Sequence, residues 1–272
     1  MKTLFCLIAF FSLSLQVQAQ TYFILHVTGD IKVKETATPI KSGDKISAET
    51  ELLFGDQSAK AIAMSKEEGR ILLDGSKTQP TLSGEFVSLL KRIVVPMKRS
   101  RNLSTRGDDD HNFQNFFGNE KFAIIGNELR FKLDNAIYPN KPEWIFAYWY
   151  LPEGSSSVSK KIPRNENELI FNKSLYIHKG NTYSPEQTGK AQIFYYNTKT
   201  RQKQKVAEFY PTFVDENQLK EELNNLASFM VDNELVDQQQ LEEELIAYVQ
   251  DVYGKISKDQ FSSWISDNPI SK

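Results

Sequence analysis

The chain of 272 residues holds a single cysteine, Cys6, and only three histidines, His26, His111 and His178. Cys6 lies inside an N-terminal apolar stretch, so nothing from Gln20 onward carries a thiol. That excludes disulfides, thiolate nucleophiles and cysteine metal sites there. A lipidated cysteine is excluded too, because it would have to follow the apolar stretch and Cys6 stands near its start. No two histidines have metal-ligand spacing, and Gly-x-Ser-x-Gly, His-Glu-x-x-His and phosphate-cradling glycine loops are missing. Beyond the N-terminus no run reaches the ~18 apolar residues of a membrane-crossing helix. The longest, Trp144 to Leu151, is strand-sized. A net charge of −2 lacks the cationic excess of a nucleic-acid binder. These absences predict a protein with no enzyme activity, cofactor, metal centre, nucleic-acid partner or transmembrane helix in the mature chain.

What is present begins with an address. Met1-Lys2-Thr3 is a positive start, Leu4 to Leu15 an apolar run, and Val17 and Ala19 put medium and small side chains at −3 and −1 before Gln20. This is the pattern of a secretory signal at 1–19, cleaved between Ala19 and Gln20. It predicts a protein exported by a bacterium to the periplasm, the cell envelope or the outside. A mature chain of that length can bury two ordinary cores without disulfides.

Charge is unevenly spread. From Phe213 to the end there are 13 acidic and 4 basic residues, while 20–212 carry 28 basic and 22 acidic. The split fits contact between the two parts, two different partners, or simply two solvated surfaces.

The sequence predicts a mainly β chain with a C-terminal α segment: two small antiparallel sandwich- or barrel-like units, then three short helices. In 20–90, Tyr22 to Val27 is apolar and β-favouring, and Ile31 and Val33 alternate with Lys32 and Lys34. Ser42-Gly43-Asp44 is a turn, Leu52 to Phe54 a short strand, and Ala59, Ala61 and Ala63 share one face. The runs Val27-x-Gly29-x-Ile31-x-Val33, Lys41-Ser42-Gly43-Asp44-Lys45-Ile46, Ser58-Ala59-Lys60-Ala61-Ile62 and Gly69-Arg70-Ile71 resemble the β-domain of FecR-like envelope proteins, over about 50 residues. The resemblance implies a periplasmic β-domain. The best-known members of that family pass a signal from an outer-membrane receptor to a sigma factor. They carry a cytoplasmic segment and a membrane helix where this chain has its signal, so only fold and compartment are carried over.

Residues 91–119 read as a linker. Six basic residues from Lys91 to Arg106 stand without an acid, Asp108-Asp109-Asp110-His111 follows, and no hydrophobic period appears. The basic run is suited to an anionic surface or the acidic helices, and the acidic cluster to solvent. A second β-unit, of Ig-like type in one reading, is expected over 120–212. Leu129, Phe131 and Leu133 alternate with Arg130 and Lys132, and Asn197 to Lys205 forms a basic hairpin tip. Trp144 to Leu151 is apolar on both faces, which predicts a strand buried on both sides. Tyr148 and Tyr150 could alternatively stack on sugar rings. Asn102 and Asn172 begin formal glycosylation sequons, relevant only in a eukaryotic host.

The acidic segment 213–272 repeats one start signature: Val214-Asp215-x-x-Gln218-Leu219, Val236-Asp237-x-x-Gln240-Leu241 and Ile256-Ser257-x-x-Gln260-Phe261. Each places a capping side chain, a Gln that can reach back, and an apolar staple. Gly254 is placed to end the second helix, and Glu242-Glu243-Glu244 complements its dipole. The favoured function is binding of another envelope or secreted protein, for sensing or assembly. A glycan-binding module and a hydrolase with dispersed carboxylates are the alternatives.

Overall fold

The computed structural model describes residues 20–80, 86–97 and 112–270. The chain is mainly β, with several antiparallel sheets and helices at its C-terminal end. Ala19 and the rest of the signal, Asn102, most of the basic run and the Asp108–His111 cluster lie outside the described residues. Two compact units divide between Met97 and Lys98.

The first unit runs β1 (Thr21–Thr28), β2 (Ile31–Val33), β3 (Thr38–Pro39), β4 (Lys45–Ser47), β5 (Glu51–Phe54), β6 (Lys60–Ser65), β7 (Gly69–Asp74), β8 (Gln79–Pro80), β9 (Phe86–Leu89) and β10 (Val94–Pro96). They form two five-stranded sheets, ordered β10-β7-β6-β1-β4 and β3-β2-β5-β9-β8. Alternation decides what each strand buries: Tyr22 and Ile24, Ala61 and Ala63, and Ile71 and Leu73 from one sheet meet Ile31, Leu52 and Phe54 from the other. β10 pairs with β7 from Val94↔Leu73 to Pro96↔Ile71. The start of the expected linker is therefore a strand of this unit.

Gly29 shows why the turn after β1 needs glycine. Its φ is +81°, and a Cβ there would stand 2.8 Å from the Ala59 Cβ. Gly29→Ala combines a left-handed backbone with a clash against a fully buried alanine. The first unit should lose about 2 kcal/mol in urea denaturation; an unchanged midpoint would mean the turn tolerates a side chain.

The second unit opens with a short helix, α1 (Phe113–Phe117), then β11 (Lys121–Ile125), β12 (Glu128–Lys132), β13 (Trp144–Tyr150), β14 (Val158–Lys161), β15 (Arg164–Asn165), β16 (Glu168–Asn172), β17 (Ile177–His178), β18 (Asn181–Thr182), β19 (Ala191–Asn197) and β20 (Lys203–Val214). Helices α2 (Glu216–Asp232) and α3 (Gln238–Tyr253), strand β21 (Lys255–Ile256) and helix α4 (Lys258–Asp267) complete it. A six-stranded sheet orders β14-β13-β19-β20-β11-β21, beside a three-stranded sheet β12-β16-β15 and the pair β17-β18. Phe146, Tyr148, Tyr150, Ile193 and Phe209 of the large sheet share one core with Leu129, Phe131, Leu169 and Phe171 of the smaller.

Three features depart from the sequence expectation. Phe113 and Phe117, inside the expected linker, are buried in this core; the two ends of 91–119 belong to the units on either side. β11 pairs in parallel with both β20 and β21. Parallel neighbours need a long crossover, and α2 and α3 supply it between β20 and β21. The acidic helices are thus an integral part of the second unit rather than a tail. Finally, β13 buries one face only: Phe146, Tyr148 and Tyr150 are at most 2% exposed, whereas Ile145, Ala147 and Trp149 are half-buried and Leu151, just past its end, is 50% exposed.

The three helix starts are capped. Asp215 accepts from the Asn217 and Gln218 amides at 3.0 Å, Asp237 from the Gln240 amide at 2.9 Å, and Ser257 from the Gln260 amide at 3.3 Å. Gln240 also accepts from the Asp237 amide at 3.3 Å, closing the box. The other two glutamines have further partners. Gln218 donates to Glu222, and Gln260 spans from α4 to the Glu128 carbonyl at 3.1 Å. Gly254 ends α3 at φ +104°, its backbone against Lys121.

Candidate interaction surface

The large sheet has a second face, opposite the core, and strand register assembles it. One row across it reads Lys161, Ala147, Phe194, Lys205. The row toward the hairpin reads Ile145, Tyr196, Lys203, and the row away from it Ser159, Trp149, Gln192, Glu208. Trp149, Phe194 and Tyr196 thereby make an aromatic stripe, half-buried, with exposed Lys161 on one side and exposed Lys203 and Lys205 on the other. The Lys203 ammonium lies 5.5 Å from the centre of the Phe194 ring, a cation–π arrangement that holds charge against the stripe. Helices α3 and α4 pack on β11.

The rim is predominantly basic. Between β19 and β20 the hairpin tip carries exposed Lys199 and Arg201. Glu208 is the carboxylate on the rows above. It accepts from Lys205 at 2.8 Å, Gln192 at 2.8 Å and Lys190 at 3.4 Å. The Lys205 hydrogen bond, with help from Lys190 and Gln192, holds its carboxyl below the usual glutamate range. Glu208 therefore fixes the lysine heads in place and leaves the face with positive charge in excess. Further along the same edge Tyr210 is 38% exposed, with the Lys190 ammonium 5.3 Å from its ring centre.

The aromatics singled out by sequence sit on the other side. Tyr148 and Tyr150 are buried, and the Tyr148 hydroxyl lies 2.7 Å from that of Tyr176 in the core. Burial raises the Tyr148 hydroxyl well above the usual tyrosine value. Neither ring is open to a sugar. Trp144 is half-buried and stacks on Tyr195, ring centres 4.3 Å apart. Sequence reading missed Phe194 and Tyr196 as surface residues; their alternation with Ile193 and Tyr195 was visible, but nothing local says which half of the alternation faces water. Neither described histidine is on these rows. His26 Nε2 is 3.0 Å from the Thr28 hydroxyl, and His178 closes β17. His111 lies outside the described residues.

A dispersed-carboxylate site would need acids facing across a cleft. An open groove of about 590 Å³ in the first unit has Glu35, Glu49 and Glu51 on its walls. Glu49 is ion-paired with Lys91 at 2.6 Å and Glu51 with Lys34 at 3.0 Å. Among the described residues no group of three His, Cys, Asp or Glu side chains has metal-site geometry, and no helix is long and apolar enough to cross a membrane. The chain matches no protein-family model, and no curated protein matches it.

Proposed function

We propose that the chain is an exported, non-enzymatic cell-envelope protein that binds another protein through the outer face of β13, β19 and β20. The observation that carries this reading is the half-exposed stripe Trp149, Phe194 and Tyr196 between Lys161 and the pair Lys203 and Lys205. Rings partly in water on a rigid sheet gain free energy when covered, and aromatic side chains are the commonest anchors of protein interfaces. The lysine rim steers and selects a partner with acidic groups around an apolar centre. Both units are sandwich-like in this reading, each with two sheets sharing one core. The FecR-like resemblance of the first unit supports a periplasmic setting and a part in sensing or assembly; its glycines Gly29, Gly43 and Gly69 all take positive φ, as a turn-dependent motif requires. The sequence pattern at 1–19 supports export, with processing between Ala19 and Gln20.

Two results test it. Protein recovered from the envelope fraction should begin at Gln20 by mass spectrometry; a retained Met1 would overturn the export reading. In intact cells, crosslinking through a tag after Lys272 should capture a specific partner. The Trp149→Ala/Phe194→Ala and Lys203→Glu/Lys205→Glu pairs should each reduce that capture about tenfold or more. Capture at the wild-type level by both pairs would sink the assignment to this face. The same stripe also favours the glycan reading. A neutral glycan bound on an array, lost with the aromatic pair but not with the lysine pair, and with no protein captured, would move the function to carbohydrate recognition.

A further inference from the structure

The hydrogen bonding that anchors β1 stops halfway through Gln20. Thr21, the first residue of β1, lies opposite Ser47 of β4. One residue earlier, the Gln20 carbonyl accepts from the Ala48 amide at 2.9 Å. The Ala48 carbonyl does not return that bond to Gln20; it accepts from the Lys91 amide at 3.2 Å. Gln20 is half-buried, and neither its backbone nitrogen nor its side-chain carboxamide has a hydrogen-bond partner among the described residues. The sheet therefore holds this residue by its carbonyl alone and leaves its nitrogen and its carboxamide free to meet.

With processing between Ala19 and Gln20, on which this inference rests, that nitrogen becomes a primary amine. An α-amine has a pKa of about 8, so an appreciable share is neutral and nucleophilic at neutral pH. Its target, the carboxamide carbon, belongs to the same residue, and holding both reactants in one frame replaces an encounter in solution. We propose that Gln20 is a modification site and that the mature chain is closed there as pyroglutamate. The amine nitrogen bonds to the side-chain Cδ, and the Cδ–Nε2 bond breaks. One proton passes from the attacking nitrogen to the departing one, which leaves as ammonia. No oxidant, reductant or further reactant takes part. Had β4 bonded the Gln20 nitrogen, ring closure would cost a strand hydrogen bond; because the Lys91 amide has that carbonyl, it costs none. The Gln20 carbonyl stays outside the ring and keeps its bond to Ala48. The product loses the terminal amine and its positive charge, which closes the chain to aminopeptidases.

Intact-mass spectrometry of the chain from the envelope fraction should give the mass of residues 20–272 less one ammonia. On its N-terminal proteolytic peptide, pyroglutamate aminopeptidase should remove the first residue where an ordinary aminopeptidase does not. Gln20→Ala, exported in parallel, should keep its full mass and yield to the ordinary enzyme. A second measurement follows the reaction itself. The full mature chain, released from a removable fusion so that Gln20 comes first, is incubated at neutral pH beside the peptide Gln-Thr-Tyr-amide. The folded chain should lose ammonia within about threefold of the peptide's rate, since the fold holds neither reacting group. A free amine on Gln20 in the envelope chain, or a folded chain more than about tenfold slower than the peptide, would overturn the modification and leave the export reading standing. A chain that retains Met1 overturns both.

Discussion

Phe117→Ala should remove about 4 kcal/mol from the second unit, the largest single-residue loss expected in the chain. Phe117 is fully buried, and its ring is stacked on Phe209 with centres 4.2 Å apart and planes 11° from parallel. Phe122 and Phe171 meet it edge-on at 4.9 and 5.3 Å. Truncation loses the transfer free energy of the ring and leaves a cavity that four strands and a helix cannot collapse into. Each aromatic pair adds roughly 0.5–1.5 kcal/mol beyond its area. Urea unfolding followed by circular dichroism measures the loss, and a change under about 1 kcal/mol would mean that α1 is dispensable to the core. The result bears on domain limits as well, because it separates a structural segment at 112–117 from the linker that its sequence resembles.

Glu222→Ala is expected to cost about 3 kcal/mol, through unmet hydrogen bonds rather than lost volume. Glu222 is 1% exposed. Its Oε2 accepts from Tyr248 at 2.9 Å and Tyr253 at 2.7 Å, and its Oε1 from Gln218 at 2.8 Å. The carboxyl group thereby ties α2 to α3, and through the crossover it fixes where β21 meets β11. Alanine takes the Glu222 acceptor away from two buried tyrosine hydroxyls. The triple variant Glu222→Leu/Tyr248→Phe/Tyr253→Phe removes the acceptor and both buried tyrosine donors and leaves the exposed Gln218 amide to water; it should recover most of the loss, since apolar replacement of buried partners together is close to neutral. A triple variant no more stable than the single one would place the cost in packing instead. Alkali adds a second readout. Burial, then the charge of Glu222 and its hydrogen bond, raise the Tyr253 hydroxyl far above its ordinary value of 10.0. The unfolded chain therefore releases this proton first. The stability linked to Tyr253 is complete below about pH 10 and falls as pH rises further. Tyr253→Phe should flatten that fall, and an identical alkaline slope would refute the linkage.

Much of the local structure was legible because it depends on neighbours in sequence. Strict alternation at Leu129, Phe131 and Leu133 put all three in the core with Arg130 and Lys132 outside. Asp215, Asp237 and Ser257 cap their helices because a side-chain oxygen needs to reach only two or three residues along the chain. Gly254 stops α3 because few other residues accept its φ. Such effects act over a turn or a strand, and the sequence alone determined them.

Burial and pairing between distant segments were decided only by the tertiary structure. Both faces of Trp144 to Leu151 are apolar, so composition cannot say that Tyr148 and Tyr150 enter the core while Trp149 remains half-exposed; the smaller sheet chose the side. Phe113 and Phe117 stand among polar residues and became core because β11, β12 and β20 enclose them. Hydrogen bonding along the chain fixes an element from within, whereas the face it hides is set by the apolar surface another element brings, and that element can be anywhere in the sequence.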